Sequence, residues 1–329
     1  MNTPAPTVAL TIGDPNGIGP EIAVKAAVAL AGRMPRIVLV GDAFVVRHYA
    51  GREAPGYSVR EMTSDAPPVA QAIDVLAVEA LPREAFAPGQ VDAAAGRATV
   101  AYVEAALAFV RAGSARAVVA CPHNETAVNA AGIRFAGYPG LIARLSGIPD
   151  EQVFLMLIGD RLRIVHVTLH ERLQNALKRL TPALVEAAGH ACATALVSLG
   201  IERPRIGLCA INPHAGEGGL FGDDDAHITA PAAERLRQAG IAVEGPTGAD
   251  VLIGRTDLDG FLAMYHDQGH IPVKLLAGRS ASALTIGAGV MFSSVAHGSA
   301  FDIAGRGLAD PAAVLRAVHL VSGQTRTAG

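Results

Sequence analysis

Three histidines stand where metal chemistry would be easiest to build: His170 in Val165-His-Val-Thr-Leu-His170, His214 in Ile211-Asn-Pro-His-Ala-Gly-Glu-Gly-Gly219, and His266 in Tyr265-His-Asp-Gln-Gly-His270. Each follows a short apolar, β-branched run, and strand ends are where α/β proteins bind their ligands. Three imidazole nitrogens leave one coordination position open, and an ion held that way acts as a Lewis acid. His166 is the competitor for His170. On a helix the two would share a face, but the β-branched context reads as a strand, where four residues span about 13 Å. Two ligands of one ion must come within about 4 Å of each other. Both therefore cannot bind the same ion; His170, at the strand end, is the better ligand, and His166 reads as a packed or hydrogen-bonded core residue. With 11 histidines in the chain, spacing leaves a second reading open, three unrelated loop histidines. Asp250 and Asp267 can orient a ligand or move a proton, or they can cap helices. His270 shares a face with His266 if a helix begins there, and Lys274, one of three lysines, follows a turn later.

Two glycine-bearing loops are further candidates. Gly13-Asp-Pro-Asn-Gly-Ile-Gly-Pro20 joins a strand to a helix, but its spacing is neither a dinucleotide fingerprint nor a phosphate loop, so a tight structural turn is the better reading. His297-Gly-Ser-Ala-Phe-Asp-Ile-Ala-Gly-Arg-Gly307 combines small residues, backbone donors and one carboxylate, a composition suited to wrapping an adenosine.

The elements that must carry these residues alternate. Strands are expected at Val8–Ile12, Arg36–Val40, Ala72–Val78 and Ala115–Ala120, and helices at Pro20–Ala31 and Ala93–Ala112, an order that means parallel pairing. Gln152–Ile158 and Leu162–Thr168 read as a hairpin about Gly159-Asp160. A helix over Pro182–Leu199 capped by Thr181, a strand at Arg205–Ile211, a helix near Pro231–Ala239, a strand at Gly260–Tyr265 and a last helix from Pro311 capped by Asp310 complete the pattern. Two α/β domains with a cleft between them are implied. The chain is 329 residues, 50% apolar and 17% charged, which excludes disorder. Its 27 basic and 30 acidic residues form no one-sided run, so a small molecule is expected as partner and no nucleic acid. Three scattered cysteines and an N-terminus without a basic signal region suit a reducing, cytoplasmic setting, and no charge-free apolar stretch of about 18 residues suggests a membrane.

Four blocks make the chain recognisable. The His297 loop resembles the adenosine-binding loop of isocitrate and isopropylmalate dehydrogenases. Together with Leu10–Glu21, Asn212–Gly219 and Tyr265–Gly269 it resembles the 4-hydroxythreonine-4-phosphate dehydrogenase (PdxA) family over essentially the whole chain. That resemblance implies a two-domain isocitrate/isopropylmalate dehydrogenase-like α/β fold with a central cleft, residues 1–127 and 271–329 forming one domain and 128–270 the other. It implies NAD as cofactor and a divalent ion, zinc in the first place, with manganese, magnesium or iron as alternatives. His170, His214 and His266 would be the ligands, the set being completed across a homodimer. Asp250, Asp267 and Lys274 would be the catalytic groups. Glu217, Gly218, Gly219, His297, Gly298, Ser299, Ala300, Asp302 and Gly305 would hold the cofactor.

Departures from that family pattern bear on the substrate. A lysine gives way to Glu125, a His-Thr pair to Tyr138-Pro139, and an asparagine and an arginine to Ala283 and Phe292, which removes what a dianionic phosphate needs. Cys121–Thr126, Gln152–Gly159, Leu162–Glu171, His266–Leu276 and Ser293–Gly307 are instead similar to the terephthalate dihydrodiol dehydrogenases. That likeness implies oxidation and decarboxylation of 1,2-dihydroxy-3,5-cyclohexadiene-1,4-dicarboxylate to protocatechuate. His123, Asn124, Glu125, Tyr138, His270 and Phe292 are then the substrate-side candidates. Oxidation of a phosphorylated four-carbon hydroxy acid such as 4-phosphohydroxythreonine is the alternative.

Overall fold

A computed structural model describes residues 7–33, 35–62, 67–278, 281–295 and 297–323. In chain order the elements that matter are β1 (Thr7–Thr11), α1 (Gly19–Ala29), β2 (Arg36–Gly41), α2 (Ala43–Glu53), β3 (Ser58–Glu61), β4 (Ala72–Ala77), α3 (Ala93–Arg111), β5 (Ala117–Ala120), α4 (Glu125–Ala130), α5 (Tyr138–Ser146), β6 (Phe154–Gly159), β7 (Leu162–His166), α6 (Leu173–Arg179), α7 (Pro182–Ser198), β8 (Arg205–Cys209), α8 (Ala230–Gln238), β9 (Ala242–Thr247), α9 (Ala249–Leu252), β10 (Gly260–Ala263), α10 (His266–Ala277), β11 (Ser282–Ile286), β12 (Met291–Ser294) and α11 (Ala312–Ser322). The chain divides into two compact units, one formed by the segment up to Ala136 with the segment from Val290 on, the other by Gly137–Gly289.

In the first unit the strands run β3-β4-β2-β1-β5-β12, all parallel. A purely parallel sheet is covered on both faces, which is why Val8–Leu10, Val38–Val40 and Ala117–Ala120 are unbroken apolar runs, all buried. Helix α3 is long and apolar enough by composition to cross a membrane, but its stripe of Val100, Val103 and Leu107 is buried, and the helix packs on β1, β2 and β5. Asp92 starts it by accepting hydrogen bonds from the N–H groups of Ala94 and Ala95.

The Gly13–Pro20 loop is a packed turn. Asp14 is fully buried and its Oδ1 accepts from the N–H of Asn16 at 2.9 Å, while Gly17 N donates to Asp14 O at 3.0 Å. Gly17 is required by close approach, since a Cβ there would lie 2.7 Å from the Ser299 Cβ. Burial, with the charge of Asp92 adding to it, pushes the Asp14 carboxyl up from its ordinary 3.8 to about 6. A raised carboxyl pKa gives stability that is present below about pH 4 and is lost as pH climbs through 6. Asp14→Asn, which keeps the Oδ1 acceptor, should therefore exceed the wild type in unfolding free energy at pH 7 by up to about 3 kcal/mol and match it near pH 4. Urea titrations at both pH values measure this. An equal difference at both would mean that desolvation of the charge is not the cause.

In the second unit the order is β11-β6-β7-β10-β8-β9, with β6 antiparallel to both β11 and β7 and the others parallel. The β6–β7 hairpin closes through Asp160-Arg161, one residue beyond the expected Gly159-Asp160, with Asp160 taking the left-handed conformation (φ 51°). Leu157, Ile164, Phe261 and Val273 form the core between this sheet and α10. The division falls after Ala136 and Gly289, not after residues 127 and 270. Helix α10 runs unbroken past 270 and packs on β6 and β7, and β11 pairs with β6, so both stay with the second unit.

Candidate active site

The second unit gathers four histidines. His166 ends β7 and is 1% exposed; its Nδ1 lies 3.3 Å from the Leu155 carbonyl and its Nε2 2.9 Å from Nδ1 of His270. It is a hydrogen-bonded core residue, as its place within the strand leads one to expect. His170, four residues on, is free of the strand, and its ring centroid is 5.4 Å from that of His266. His266 is the first residue of α10, and one turn later His270 stacks on it at 3.7 Å and 13°. Burial and the neighbouring imidazoles push His166 down to about 3 and His270 to about 4, so both rings are neutral at physiological pH. Gly137 (φ 114°) begins α5 beside His170; a Cβ there would sit 3.7 Å from the His170 Nδ1, which brings Tyr138, a buried ring, to this side of the unit.

Asp267 lies against His266, its Oδ1 2.7 Å from the ring Nδ1. His214 has the same arrangement, its Nδ1 2.9 Å from Oε2 of Glu217. A carboxylate on Nδ1 orients an imidazole and leaves Nε2 available as a ligand, the arrangement usual for metal-binding histidines. The donor chemistry therefore fits a divalent ion. The loop that carries His214 is strained: His214, Ala215 and Glu217 all have φ between 44° and 54°. Left-handed residues other than glycine cost roughly 1–3 kcal/mol each and gather at functional sites. Asp225 supports the turn, accepting from the N–H groups of Ile211 and Asn212 at 2.8 and 2.9 Å. Gln268 accepts from Met264 N and donates to Ala210 O, tying the start of α10 to the end of β8. Neither supporting residue was expected, because a buried side chain bonding to distant backbone leaves no sequence pattern. Among the described residues of one chain, no group of three or more His, Cys, Asp or Glu side chains is arranged to hold a metal ion. His170 and His266 are neighbours, and among the described residues His214 is not grouped with them.

Two hollows flank this cluster. One, of about 310 Å³, is lined by His170, Glu171, Tyr265, His266 and Asp267. The other, of about 580 Å³, takes Asp250, Tyr265, Asp267 and Gln268 together with Ile271 and Leu275. Asp250, in the first turn of α9, and Asp267 thus face one hollow. Lys274 is exposed two turns along α10.

The first unit holds the remaining candidates. His123 is mostly buried, its ring centroid 4.6 Å from that of Phe135 in an edge-on arrangement, and desolvation lowers it to about 4. Asn124 caps α4 through its Oδ1, which accepts from Ala127 N at 2.7 Å, and Glu125 is exposed. Phe292 has no exposed surface: it sits in β12 in register with Val118 of β5. It is core, not a side chain presented to solvent or ligand. In the glycine-rich loop His297, Gly298 and Asp302 are exposed, while the carbonyl of Ser299 accepts from Ile18 N at 2.9 Å and Ala300 is left-handed (φ 40°). Open space surrounds the position of an added Cβ at Gly298. Glu21 and Lys25, which the sequence reading passed over, clamp the end of this loop. Buried Glu21 accepts from Ala309 N at 2.8 Å and from Lys25 Nζ at 2.8 Å; Lys25 also donates to the carbonyls of Gly307 and Ala309, each at 2.9 Å. The i,i+4 spacing of an acid and a base on α1 was the available signal.

An α/β chain with carboxylate-oriented histidines at strand ends and an exposed small-residue loop has the parts of a metal-assisted dehydrogenase. Comparison with known proteins names the family. The model described as "Pyridoxal phosphate biosynthetic protein PdxA" matches residues 33–321, and the chain belongs to the PdxA family. A 1,2-dihydroxy-3,5-cyclohexadiene-1,4-dicarboxylate dehydrogenase from Comamonas sp. is 46% identical, over 96% of this chain and 97% of its own length. The crystal structure of a terephthalate 1,2-cis-dihydrodiol dehydrogenase from Burkholderia xenovorans LB400 is 58% identical with a TM-score of 0.80, covering 97% of this chain and 98% of that one. A D-threonate 4-phosphate dehydrogenase from Cupriavidus necator is 39% identical over 97% of each chain.

Proposed function

We propose that this protein is an NAD-dependent, divalent-metal-dependent dehydrogenase that converts 1,2-dihydroxy-3,5-cyclohexadiene-1,4-dicarboxylate to protocatechuate, CO2 and NADH. The observation that carries this reading is identity of 46% and 58%, over nearly the full length, to two dehydrogenases of that dihydrodiol. The histidine and carboxylate arrangement supports it.

His170, His214 and His266 would hold the ion, zinc being the first choice for a three-histidine set. As the family resemblance implies, the set would be completed by a second copy in a homodimer. Bound there, the ion supplies Lewis-acid polarisation of the C2 hydroxyl and then of the ketone. Asp267 and Glu217 orient His266 and His214 through their Nδ1 atoms. With one Asp267 oxygen committed in this way, Asp250 is the carboxylate that takes the hydroxyl proton. Held by the His297–Gly305 loop, NAD would accept the C2 hydride, and the ketone this leaves lies β to the C1 carboxylate. Loss of CO2 leaves its electron pair in the C1–C2 bond and moves the carbonyl π pair onto the C2 oxygen, which takes back the proton held by Asp250, and the ring becomes aromatic. His123, Glu125, Tyr138 and Lys274 are the groups left to shape the substrate's surroundings. Asn124 contributes through the α4 cap, and Phe292 contributes only from beneath, as part of the sheet.

The loop from His297 to Gly305 would take the cofactor, and Lys25 holds its far end in place. Lys25→Met removes two bonds to backbone carbonyls and the partner of Glu21. Charge-assisted bonds of this kind contribute about 1.5–3 kcal/mol, so KM for NAD should rise roughly tenfold or more with kcat little changed. Steady-state kinetics with NAD varied separate the two constants; a fall in kcat alone would remove the clamp from cofactor binding.

NADH formation from the purified protein with the dihydrodiol and with 4-phosphohydroxythreonine tests the substrate assignment. Relatives at 38–39% identity named for phosphorylated substrates favour keeping the second compound in the assay. Faster turnover of the phosphorylated substrate would overturn the dihydrodiol reading.

A further inference from the structure

His166 is absorbed by neither the metal set nor the fold alone. Its backbone pairs with Leu155 across the β6–β7 hairpin, and its Nδ1 faces the Leu155 carbonyl at 3.3 Å. A carbonyl only accepts, so Nδ1 carries the hydrogen. In a neutral ring Nε2 is then a lone pair, and the atom 2.9 Å from it, Nδ1 of His270, must be the donor. A neutral His270 ring that donates from Nδ1 has a lone pair at Nε2. Gly269 permits the contact: any Cβ there would come within 2.4 Å of His166 Nε2. The far face of His270 lies flat on His266, so whatever is held at His266 lies beside His270. An apolar pair would fill the same interior space without fixing a tautomer.

We propose that His166 is a positioning residue that locks His270 in its Nδ1–H form, so that His270 Nε2 accepts a hydrogen bond from a hydroxyl of the bound vicinal diol. This rests on the dihydrodiol reading for the identity of the hydroxyl. It gives the substrate-side candidate His270 a hydroxyl as its partner, because a neutral imidazole that can only accept at Nε2 does not bind a carboxylate.

The test is the 15N spectrum of the full-length protein labelled at histidine, with His270 assigned by substitution. The wild type should show an unprotonated Nε2 at His270. His166→Phe should shift that signal toward the other tautomer and lower kcat/KM for the dihydrodiol by roughly 10–100-fold, mostly through KM. His166→Gln, whose amide can donate to Leu155 and accept from His270, should restore both. Should the phenylalanine variant fold poorly, Gly269→Ala gives a second route, because the added methyl displaces the His166 ring. A protonated Nε2 in the wild type, or an unchanged His270 signal in both variants, overturns the proposal. The spectrum needs no substrate, so a protein that fails to oxidise the dihydrodiol but shows this tautomer pattern would refute the substrate assignment and uphold the positioning role.

Discussion

Replacing His214 by alanine is expected to leave a folded protein that has lost its divalent ion and about a thousandfold in kcat/KM. The His214 side chain is 67% exposed, with Glu217 on its Nδ1 and its ring against that of Phe221, so its removal opens no cavity. Surface substitutions of that kind change stability by about 0.5 kcal/mol or less. The activity is a different matter, because Lewis-acid stabilisation supplies several kcal/mol, and about 4 kcal/mol is three orders of magnitude in rate. Elemental analysis and thermal unfolding of the same preparation separate the effects. Full metal content with full activity would remove His214 from the ligand set. The set's completion by a second copy can be read from the same variant. Mixed with His266→Ala and reassembled, His214→Ala should regain activity if ligands come from two chains, since one site in each mixed dimer then keeps all of its histidines. No recovery would place the three ligands in one chain.

Phe292→Arg is expected to abolish the folded state, not to adjust specificity. Read from sequence, the position invited comparison with a substrate-binding cation. In the fold the phenyl ring has no exposed surface, in a strand flanked by the fully buried Val118 and Val119 of β5. Removing a buried phenylalanine costs about 3–5 kcal/mol, and an unpaired guanidinium in its place adds a desolvation cost of several more. The sum reaches the whole stability of a typical domain, roughly 5–15 kcal/mol. The variant should be recovered mainly in the insoluble fraction, and Phe292→Leu, which keeps most of the volume, should be soluble and active. A soluble, cooperatively unfolding Phe292→Arg protein would show that this part of β12 can open to water.

Much of this molecule was legible in its residues taken in order. Alternating apolar runs and helical stripes gave the α/β class, and Thr181 caps the helix that its side chain announced, while Asp310, expected to cap the last helix, stands one residue before its cap position Pro311 and accepts from Ala312 N. The β-branched run ending at His166 was enough to separate it from His170, because strand rise is a local quantity. Block by block, the glycine, histidine and aspartate motifs also indicated the family.

Other features depend on contacts between residues far apart in the chain, and those leave no period or spacing to read. Glu217 looks like part of a glycine-rich cofactor segment until the left-handed turn brings its carboxylate onto His214. Phe292 looks like a pocket residue until β12 is seen pairing with β5. Glu21, Asp225 and Gln268 acquire their roles only when their side chains meet backbone groups elsewhere in the chain. The pairing of His166 with His270 spans 104 residues. Composition and periodicity thus determine which elements form and which side chains are chemically able. Which imidazole holds a proton, and on which nitrogen, is decided by hydrogen bonds that exist only after the elements have packed.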